Sequence, residues 1–567
     1  MAKITIDGKE YDVDSKLTII QAAAEQGIEI PHFCWHESLS VAGNCRMCLV
    51  EVEKMPKLAI ACATQVAEGM VVRTQSERVI KARQSVMEFL LINHPLDCPI
   101  CDEAGECKLQ DYSYKYSAGY SRFEEDKVHK PKRVELGPHV KLDVERCIMC
   151  SRCIRFSDEI AHQPVLTFTE RGDHVVLTTF PGTRLDNPYS MNVIELCPVG
   201  ALTSVDFRFK SRVWEMSSTD TVCTGCAQGC NIHAWVRNNE ILRLTPRFNA
   251  EVNLYWMCDR GRLETFKDVN SPKRLKGPMI RKEGVLVEVG WDEAISKVVS
   301  ELKGCRKGEI AALGSAWATN EDNYVFQRFA REVLGTKHLD VREHFVEGDE
   351  DDLLIRSDKT PNSLGARLVG IRPGEGGLDL PGMIRAIREG TVKALYVLED
   401  DIAQLPELAA VLPNLQVLIV HSSLQNSTTE LADIVLSAST YAEKNGTFTN
   451  FRGHIQRIRP AVSTLDQDRA LDGFAMSRWD KFASHNDRWG KPNKRDARPT
   501  WRILAAVATA FGSKLKYTTS EDVFKEITEK IPALKGMSYQ KLGSSGLPMQ
   551  VPAHQSVPTS ASSVEPA

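Results

Sequence analysis

Cysteine is absent after Cys305 in this chain of 567 residues, although the chain contains 16 cysteines in all. Fifteen of them lie between Cys34 and Cys258, so the chain has a cysteine-rich part and a part nearly free of thiols. A large charge of one sign is also absent, because 71 Lys and Arg face 75 Asp and Glu and leave a formal net charge of −4. That balance argues against a protein that binds nucleic acid or anionic lipid.

Long apolar runs are absent as well. The sequence has no uninterrupted run of roughly 18 apolar residues, and its start has no apolar segment of the kind that signal peptides carry. We therefore expect a cytosolic location. In a reducing compartment, closely spaced Cys-x-x-Cys pairs indicate metal or redox sites rather than a framework of disulfides.

The pattern of apolar residues predicts small α+β units first and an α/β domain later. The first 30 residues predict a β-hairpin that turns at Asp7-Gly8, followed by a helix over 18–26. A second helix is predicted over 78–93, and the polar segment 112–140 is expected to be a connector. The segment from Gly543 onward is rich in Ser, Pro, Gln and Ala, which predicts a disordered tail.

Strands and helices are predicted to alternate after about residue 276, which indicates a parallel sheet with crossover helices. The predicted strands are 310–314, 394–398 and 416–420, and the predicted helices are 291–302, 320–334 and 404–412.

Four sets of four metal-ligand side chains account for fifteen of the cysteines. A Cys-x-x-Cys loop lets two thiolates reach one site, and more distant thiolates complete it. The first set fits a [2Fe–2S] module, and the third has the C-x2-C-x2-C run and remote Cys-Pro of bacterial ferredoxins, which fits one [4Fe–4S] cluster. The four sets are Cys34, Cys45, Cys48 and Cys62; His94, Cys98, Cys101 and Cys107; Cys147, Cys150, Cys153 and Cys197; and Cys223, Cys226, Cys230 and Cys258.

Two of these sets leave alternatives open. In the second set, three cysteines leave one position of a four-ligand site unfilled, and His94 lies near enough in sequence to fill it, although a lone histidine is usually not a ligand. The fourth set, taken alone, also fits a zinc site with four cysteines. The remaining thiol, Cys305, is expected to be structural and buried.

Four iron–sulfur centres in one chain indicate one-electron transfer, because hydrolysis and group transfer need no such series. A neutral His94 ligand in place of a thiolate should raise the potential of its cluster. The chain has no P-loop, and Gly374-Glu375-Gly376-Gly377 does not open a helix after a strand as a dinucleotide site would. NAD and flavin are therefore expected on another subunit, and no residue of this chain is predicted to be catalytic.

The order of the four sets resembles the large iron–sulfur subunit of bacterial NADH-quinone oxidoreductase, or respiratory complex I. The resemblance covers residues 1 to about 275. Later segments, such as Trp291-Asp292-Glu293-Ala294 and the run 442–450, are similar to molybdopterin oxidoreductase domains.

The fold that this resemblance implies is multidomain, α+β and α/β. Its expected domains are a [2Fe–2S] ferredoxin-like β-grasp domain (1–78), a His/Cys-ligated [4Fe–4S] segment (79–120), a [4Fe–4S] ferredoxin-like domain (121–215), a [4Fe–4S] domain of molybdopterin-oxidoreductase type (216–275), a degenerate molybdopterin-oxidoreductase-like α/β domain (276–542) and the tail (543–567).

NAD-linked formate dehydrogenases and multi-cluster [FeFe] hydrogenases share the same series of clusters. A hydrogenase needs further cysteines after the fourth set, and a formate dehydrogenase normally presents Cys or selenocysteine to molybdenum where this chain reads Val341-Arg342-Glu343-His344-Phe345. The later domain is therefore expected to be degenerate and to hold no molybdopterin. An iron–sulfur/molybdopterin subunit of a formate dehydrogenase is kept as the alternative, and a non-redox zinc scaffold is a further one.

The resemblance also implies cofactors and partners. The chain would hold one [2Fe–2S] and three [4Fe–4S] clusters and would receive electrons from NADH and FMN on a neighbouring subunit. The route would run from the Cys34 cluster to the Cys147 cluster, then to the His94 cluster and on to a further iron–sulfur subunit near quinone, with the Cys223 cluster off this route. The hetero-oligomer would lie on the cytoplasmic face of the inner membrane through its membrane arm, and this chain would have no substrate site of its own.

Overall fold

The computed structural model of the protein describes residues 1–467 and 494–550. The chain divides into two compact units, Met1–Met216 and Ser217–Ala567. All the cysteines of the first three ligand sets lie in the first unit, and those of the fourth set lie in the second.

The first unit begins with a five-stranded sheet in the order β2-β1-β5-β3-β4. The predicted hairpin is confirmed: its strands pair antiparallel, and Asp7 and Gly8 both have positive φ, as a two-residue hairpin turn requires. Ile4 and Ile6 alternate with polar residues and are buried against the helix, which anchors the sheet. The elements are β1 (Ala2–Ile6), β2 (Lys9–Val13), α1 (Ile19–Glu25), β3 (Leu49–Val52), β4 (Ala59–Ile60) and β5 (Val71–Arg73).

Two helices follow the first sheet, and the second of them lies partly where a connector was predicted. Helix α2 (Glu77–Ile92) agrees with the predicted 78–93 and begins where Ser76 Oγ accepts the N–H of Val79. Helix α3 (Lys108–Tyr116) enters the segment 112–140 that was predicted to be a connector. The helix continues because Leu109, Tyr112 and Tyr116 lie on one face and are all buried.

The rest of the first unit has a three-stranded sheet, a two-stranded sheet and two short helices. The first strands of this region also lie inside or at the end of the predicted connector. The elements are β6 (Val134–Glu135), β7 (Val140–Leu142), α4 (Arg152–Glu159), β8 (Leu166–Thr169), β9 (Val176–Thr179), α5 (Asn192–Leu196) and β10 (Leu202–Ser204).

The second unit opens with a three-stranded antiparallel sheet that leads into the predicted α/β domain. The domain is a seven-stranded sheet in the order β15-β14-β20-β19-β18-β16-β17, in which β16 to β20 are parallel. The first elements are β11 (Ser217–Val222), β12 (Asn231–Arg237), β13 (Glu240–Pro246), α6 (Asp259–Glu264), α7 (Lys267–Asn270), β14 (Met279–Lys282), β15 (Val285–Glu288), α8 (Trp291–Lys303) and β16 (Ile310–Gly314). They are followed by α9 (Asn320–Arg328), β17 (His338–Val341), α10 (Ser363–Leu368), α11 (Leu380–Arg388), β18 (Ala394–Leu398), α12 (Pro406–Ala409), β19 (Val417–Ser422), α13 (Ser427–Leu431) and β20 (Ile434–Ser437).

Two predicted helices of this domain differ from the structure. The helix predicted over 320–334 becomes a π-helix from Phe329 to Leu334. The helix predicted over 404–412 is reduced to α12, because Pro406 starts a new helical turn and Pro413 stands too close behind for a longer helix.

The end of the described chain corrects the predicted tail. Leu547–Pro548 forms a strand that pairs with His454 and Ile455, so ordered structure continues past Gly543. Residues 551–567 of that predicted tail lie outside the described residues. The last elements are β21 (Gly446–Thr449), β22 (His454–Ile458), α14 (Thr500–Ala510), α15 (Ser520–Lys530), α16 (Tyr539–Leu542) and β23 (Leu547–Pro548).

None of the helices within residues 1–467 and 494–550 is both long and apolar enough to cross a lipid bilayer.

Candidate metal centres

The structure brings the first set together where the loops around α1, β3 and β4 meet. The backbone N–H of Cys34 lies 3.4 Å from Cys45 Sγ. A hydrogen bond from the Cys45 thiol lowers the pKa of Cys34 to about 5, and one from the Cys62 thiol lowers the pKa of Cys48 to about 7. The pKa of Cys62 is raised by its hydrogen bond to Cys48, by burial, and by the charges of Cys34 and Cys45. The four thiols therefore share one electrostatic environment.

The third set encloses a small space in the ferredoxin-like part of the first unit. Its four cysteines line that space together with apolar side chains, and Cys150, Cys153 and Cys197 are each less than a tenth exposed. Burial raises the pKa of all four thiols. Met149 and Ser151, between the ligands, both have left-handed φ, which turns the loop so that three cysteines face the same space. The apolar lining residues are Ile148, Phe168, Leu177, Val199, Ala201 and Leu202.

The fourth set also encloses a space, in the second unit. The loop between β11 and β12 supplies three of its cysteines, and Cys258 lies at the start of α6, where its Sγ accepts the N–H of Gly261 at 3.3 Å. A Cβ added at Gly261 would lie 2.9 Å from Cys223 Sγ and 3.3 Å from Cys258 Sγ. A side chain at position 261 would therefore intrude on the thiols, which explains the glycine.

In the described chain, the side chains of the second set differ most in exposure and make no hydrogen bonds to one another that bring them together. Cys98 is exposed, Cys101 is buried and Cys107 is intermediate, and within the described residues His94 makes no hydrogen bond to any of these cysteines. The pKa of His94 is lowered to about 4 by burial and by the charges of Lys127 and Arg146. Its imidazole is thus neutral at neutral pH, which is the form that binds metal.

One short segment joins the second set to the third. Pro198, next to Cys197, accepts the backbone N–H of Lys108 at 3.1 Å, and its carbonyl oxygen lies 4.0 Å from Cys107 Sγ. A Cβ added at Gly200 would collide with Cys101 Sγ. The segment 197–200 therefore supplies a ligand to one set and forms a wall of the next.

The first set is joined to the third by arginines of helix α4. The Arg155 guanidinium donates to the carbonyl oxygens of Cys34 and Cys150, and Arg152 donates to the carbonyl oxygens of Trp35 and Leu196. Asn44 also donates to Met149 O at 3.1 Å. The three sets of the first unit thus follow one another in the order first, third, second. No motif in the sequence marks these arginines; their only signal is their position within and just after the C-x2-C-x2-C run.

Cys305 lies outside the four sets. Cys305 is intermediate in exposure and not buried as expected, because it follows the last turn of α8, where its Sγ lies 3.7 Å from Glu301 O. In the part of the chain that the structure describes, no three or more His, Cys, Asp and Glu side chains, those of the four sets included, converge closely enough to hold a single metal ion.

The carboxyl edge of the parallel sheet, where α/β folds bind ligands, holds ion pairs. Arg342 and His344 both contact Asp400, at 3.4 and 3.2 Å, and the His344 ring packs edge-on against Trp317. No cysteine occurs after Cys305, so this edge offers no thiolate to molybdenum. The edge therefore lacks the thiol that the formate dehydrogenase alternative calls for.

Models of known protein families match this chain in five consecutive parts. They are described as a 2Fe-2S iron-sulfur cluster binding domain (1–77), the NADH-ubiquinone oxidoreductase-G iron-sulfur binding region (83–122), the ferredoxin-like domain of NADH-quinone oxidoreductase subunit 3 (137–203), the molybdopterin oxidoreductase Fe4S4 domain (216–265) and molybdopterin oxidoreductase (274–371 and 359–470). With the fold and the cysteine sets, they define a multidomain iron–sulfur protein built on a molybdopterin-oxidoreductase framework.

Individual relatives of the chain are subunits of NADH-quinone and NADH-ubiquinone oxidoreductases. The chain is 44% identical over 333 residues to the G subunit of NADH-quinone oxidoreductase from Rickettsia bellii, an alignment that covers 59% of this chain and 48% of the relative. It is 46% identical over 299 residues to the mitochondrial NADH-ubiquinone oxidoreductase 78 kDa subunit of Neurospora crassa, covering 52% and 40%. The chain thus spans about half the length of the curated relatives it matches.

A solved structure of NAD+-reducing [NiFe]-hydrogenase in the H2-reduced state is also similar. It is 29% identical, covers 37% of this chain and 91% of that chain, and has a TM-score of 0.34.

His94→Cys is expected to keep a cluster at the second set and to lower its reduction potential. A thiolate in place of neutral imidazole adds negative charge, which disfavours the reduced state. At a fixed potential the ratio of reduced to oxidised cluster should fall by about tenfold or more, which corresponds to about 59 mV for one electron. An EPR-monitored redox titration measures this ratio. His129→Cys, at an 87% exposed side chain, is the control, and an unchanged titration of His94→Cys would refute ligation by His94.

Proposed function

We propose that this chain is an electron-transfer subunit of an NADH-quinone oxidoreductase, relaying electrons from NADH and FMN on a partner subunit through iron–sulfur clusters toward quinone. The observation that carries the proposal is the row of three ligand sets in the first unit, joined by Arg155 and by the segment 197–200. Electron relay requires a series of adjacent redox sites, whereas a structural metal site does not need a neighbouring site.

The proposed ligands fit iron–sulfur clusters by donor type and surroundings. Cysteine thiolates are the usual ligands of such clusters, which supply one-electron transfer when bound. The third and fourth sets line enclosed, largely apolar spaces, and solvent exclusion of this kind helps to set cluster potentials. Cys34, Cys45, Cys48 and Cys62 would hold a [2Fe–2S] cluster, and the His94, Cys147 and Cys223 sets would each hold a [4Fe–4S] cluster.

The row also supports the proposed order of the relay. The first set is bridged to the third by Arg155, and the third is bridged to the second by Pro198 and Gly200. The exposed Cys98 puts the second set at the surface, where a further iron–sulfur subunit could receive electrons. The fourth set, which belongs to the second unit, is proposed to lie off this route.

The α/β domain is proposed to be structural and to hold no molybdopterin. Arg342, His344 and Asp400 occupy its carboxyl edge, and no thiol is available there. The partners would be the flavin- and NADH-binding subunit and the downstream iron–sulfur subunit. The hetero-oligomer would be peripheral to the cytoplasmic face of the inner membrane, held there through its membrane arm.

Metal and sulfide analysis of the anaerobically purified protein, combined with EPR, tests the proposal. One [2Fe–2S] and three [4Fe–4S] clusters predict about 14 iron atoms per chain and no molybdenum. About ten iron atoms with zinc would contradict the fourth assignment, and molybdenum with pterin would favour the formate dehydrogenase alternative. A colourless protein with zinc and no acid-labile sulfide would contradict electron transfer altogether.

A further inference from the structure

A wholly buried arginine lies beside the first ligand set. Arg83, on α2, is 0% exposed, and its guanidinium donates to the carbonyl oxygen of Leu49, next to Cys48, at 3.2 Å. The guanidinium also lies 5.4 Å from the centre of the Tyr116 ring and 3.5 Å from its hydroxyl group. These partners are neutral, so they satisfy N–H groups without balancing the charge.

Two further arginines approach the same set from helix α4. Arg152 donates to Trp35 O on one side and to Leu196 O, at 3.2 Å, on the other. Arg155 donates to the carbonyl oxygens of Cys34, Ser40 and Cys150. Each guanidinium therefore contacts a cluster ligand, or the residue beside one, in both the first and the third set.

None of these three arginines has a carboxylate partner within 4.0 Å in the described part of the chain. The Nε atoms of Arg83 and Arg152 are buried and lack any hydrogen-bond acceptor. Burial lowers the pKa of both guanidinium groups, as expected for cations removed from water. A buried cation without a close counter-charge is costly. The charges that favour the charged form of Arg83 include the Cys48 thiol and, beyond 4.0 Å, the Asp7 carboxylate. Those that favour charged Arg152 are the thiols of Cys150, Cys197 and Cys34.

We propose that Arg83, Arg152 and Arg155 form a cationic shell that balances the negative charge of the first cluster and raises its reduction potential. Arg152 and Arg155 extend this effect to the third cluster. The inference rests on the proposed cluster assignment and adds residues that are not ligands. One-electron reduction adds one negative charge to a cluster held by four thiolates, so neighbouring positive charge stabilises the reduced form more than the oxidised form.

The two contact patterns make different predictions for Arg83 and Arg155. Arg83 approaches Cys48 only, whereas Arg155 contacts the backbone of ligands in both sets. Loss of charge at Arg83 should therefore lower the potential of the first cluster alone, and loss of charge at Arg155 should lower the potentials of the first and third clusters together.

The experiment is an EPR-monitored redox titration of the full, cluster-loaded chain with Arg83→Gln, Arg155→Gln, Arg83→Lys and Arg155→Lys. In Arg83→Gln the reduced-to-oxidised ratio of the [2Fe–2S] signal at a fixed potential should fall at least tenfold, equal to about 59 mV for one electron. The Lys variants keep the positive charge, so their reduced-to-oxidised ratio should stay within about threefold of the ratio in the unchanged protein. A threefold change corresponds to less than half of the potential shift expected for the Gln variant. Arg78→Gln is the control, since Arg78 lies on the same helix with its side chain half exposed.

Each outcome decides the proposal. Unchanged potentials in both Gln variants overturn it, as does a shift that the Lys variants fail to reverse. If a Gln variant loses the [2Fe–2S] signal and the matching Lys variant retains it, the site requires the positive charge, which supports the proposal. If both variants lose the signal, the arginine has only a packing role, which overturns the proposal. Absence of a [2Fe–2S] signal from the unchanged protein would instead refute the proposed function itself.

Discussion

Gly200→Ala is expected to remove the cluster of the second ligand set and to leave the first and third clusters in place. The added Cβ would collide with Cys101 Sγ and would lie 2.9 Å from Glu103 Cβ. A ligand sulfur cannot move away without leaving the cluster, so the collision displaces Cys101 rather than relaxing. Iron content should fall by about four atoms per chain, the content of one [4Fe–4S] cluster.

Iron and sulfide analysis with low-temperature EPR measures this loss. Gly308→Ala is the matched control, because a Cβ at Gly308 meets nothing within 4 Å. The third cluster serves as an internal reference, since Cys197 lies only three residues away. Retention of all iron in Gly200→Ala would contradict the close approach of the segment 197–200 to Cys101.

Lys444→Met is expected to destabilise the α/β domain by about 3–5 kcal/mol, the cost of leaving buried charges without a partner. The Lys444 ammonium group is 0% exposed and lies 2.8 Å from Asp322 Oδ2 and 2.9 Å from Glu399 Oε1. Asp322 also accepts the backbone N–H of Trp501, and Glu399 also accepts the Thr500 hydroxyl group. The two carboxylates therefore cannot turn toward water when the ammonium group is removed.

Hydrogen–deuterium exchange of strands β16, β18 and β19 in the full chain measures the free energy of opening in this domain. Lys282→Met is the control: Lys282 forms a pair of the same length with Glu293, at 2.8 Å, but both side chains are about half exposed. Such a pair contributes about 0–1 kcal/mol. Equal effects of the two substitutions would show that the Lys444 network does not support the fold.

Sequence patterns were sufficient for elements whose burial follows a simple period. The strands at 310–314 and 394–398 are apolar runs buried on both faces, and their predicted bounds agree with β16 and β18. The pattern failed where burial comes from distant residues. Helix α3 is polar in average composition although its buried face is aromatic, and β23 is a strand only because β22 offers it a free edge.

The candidate sites divide in the same way. Cysteine spacing predicted the four groups, since each close run reflects one local loop, and the structure places the third and fourth groups around single spaces. The contacts between sets could not be read from spacing, because Arg155 and Cys34 are 121 positions apart and Pro198 and Cys107 are 91 positions apart. Gly200 and Arg83 acquire their importance only from neighbours that folding brings to them.

The segment 197–200 ties Cys197 of the third set to Gly200, a wall residue of the second set, by covalent bonds. Between the Cα atoms of Cys197 and Gly200 there are three peptide steps, which limits their separation to about 11 Å. Rigid-body motion of whole domains cannot lengthen that span, whereas the arginine contacts between the first and third sets are non-covalent and can yield. Loosening of those non-covalent contacts would therefore separate the first and third sets while Cys197 and Gly200 stay within about 11 Å of each other.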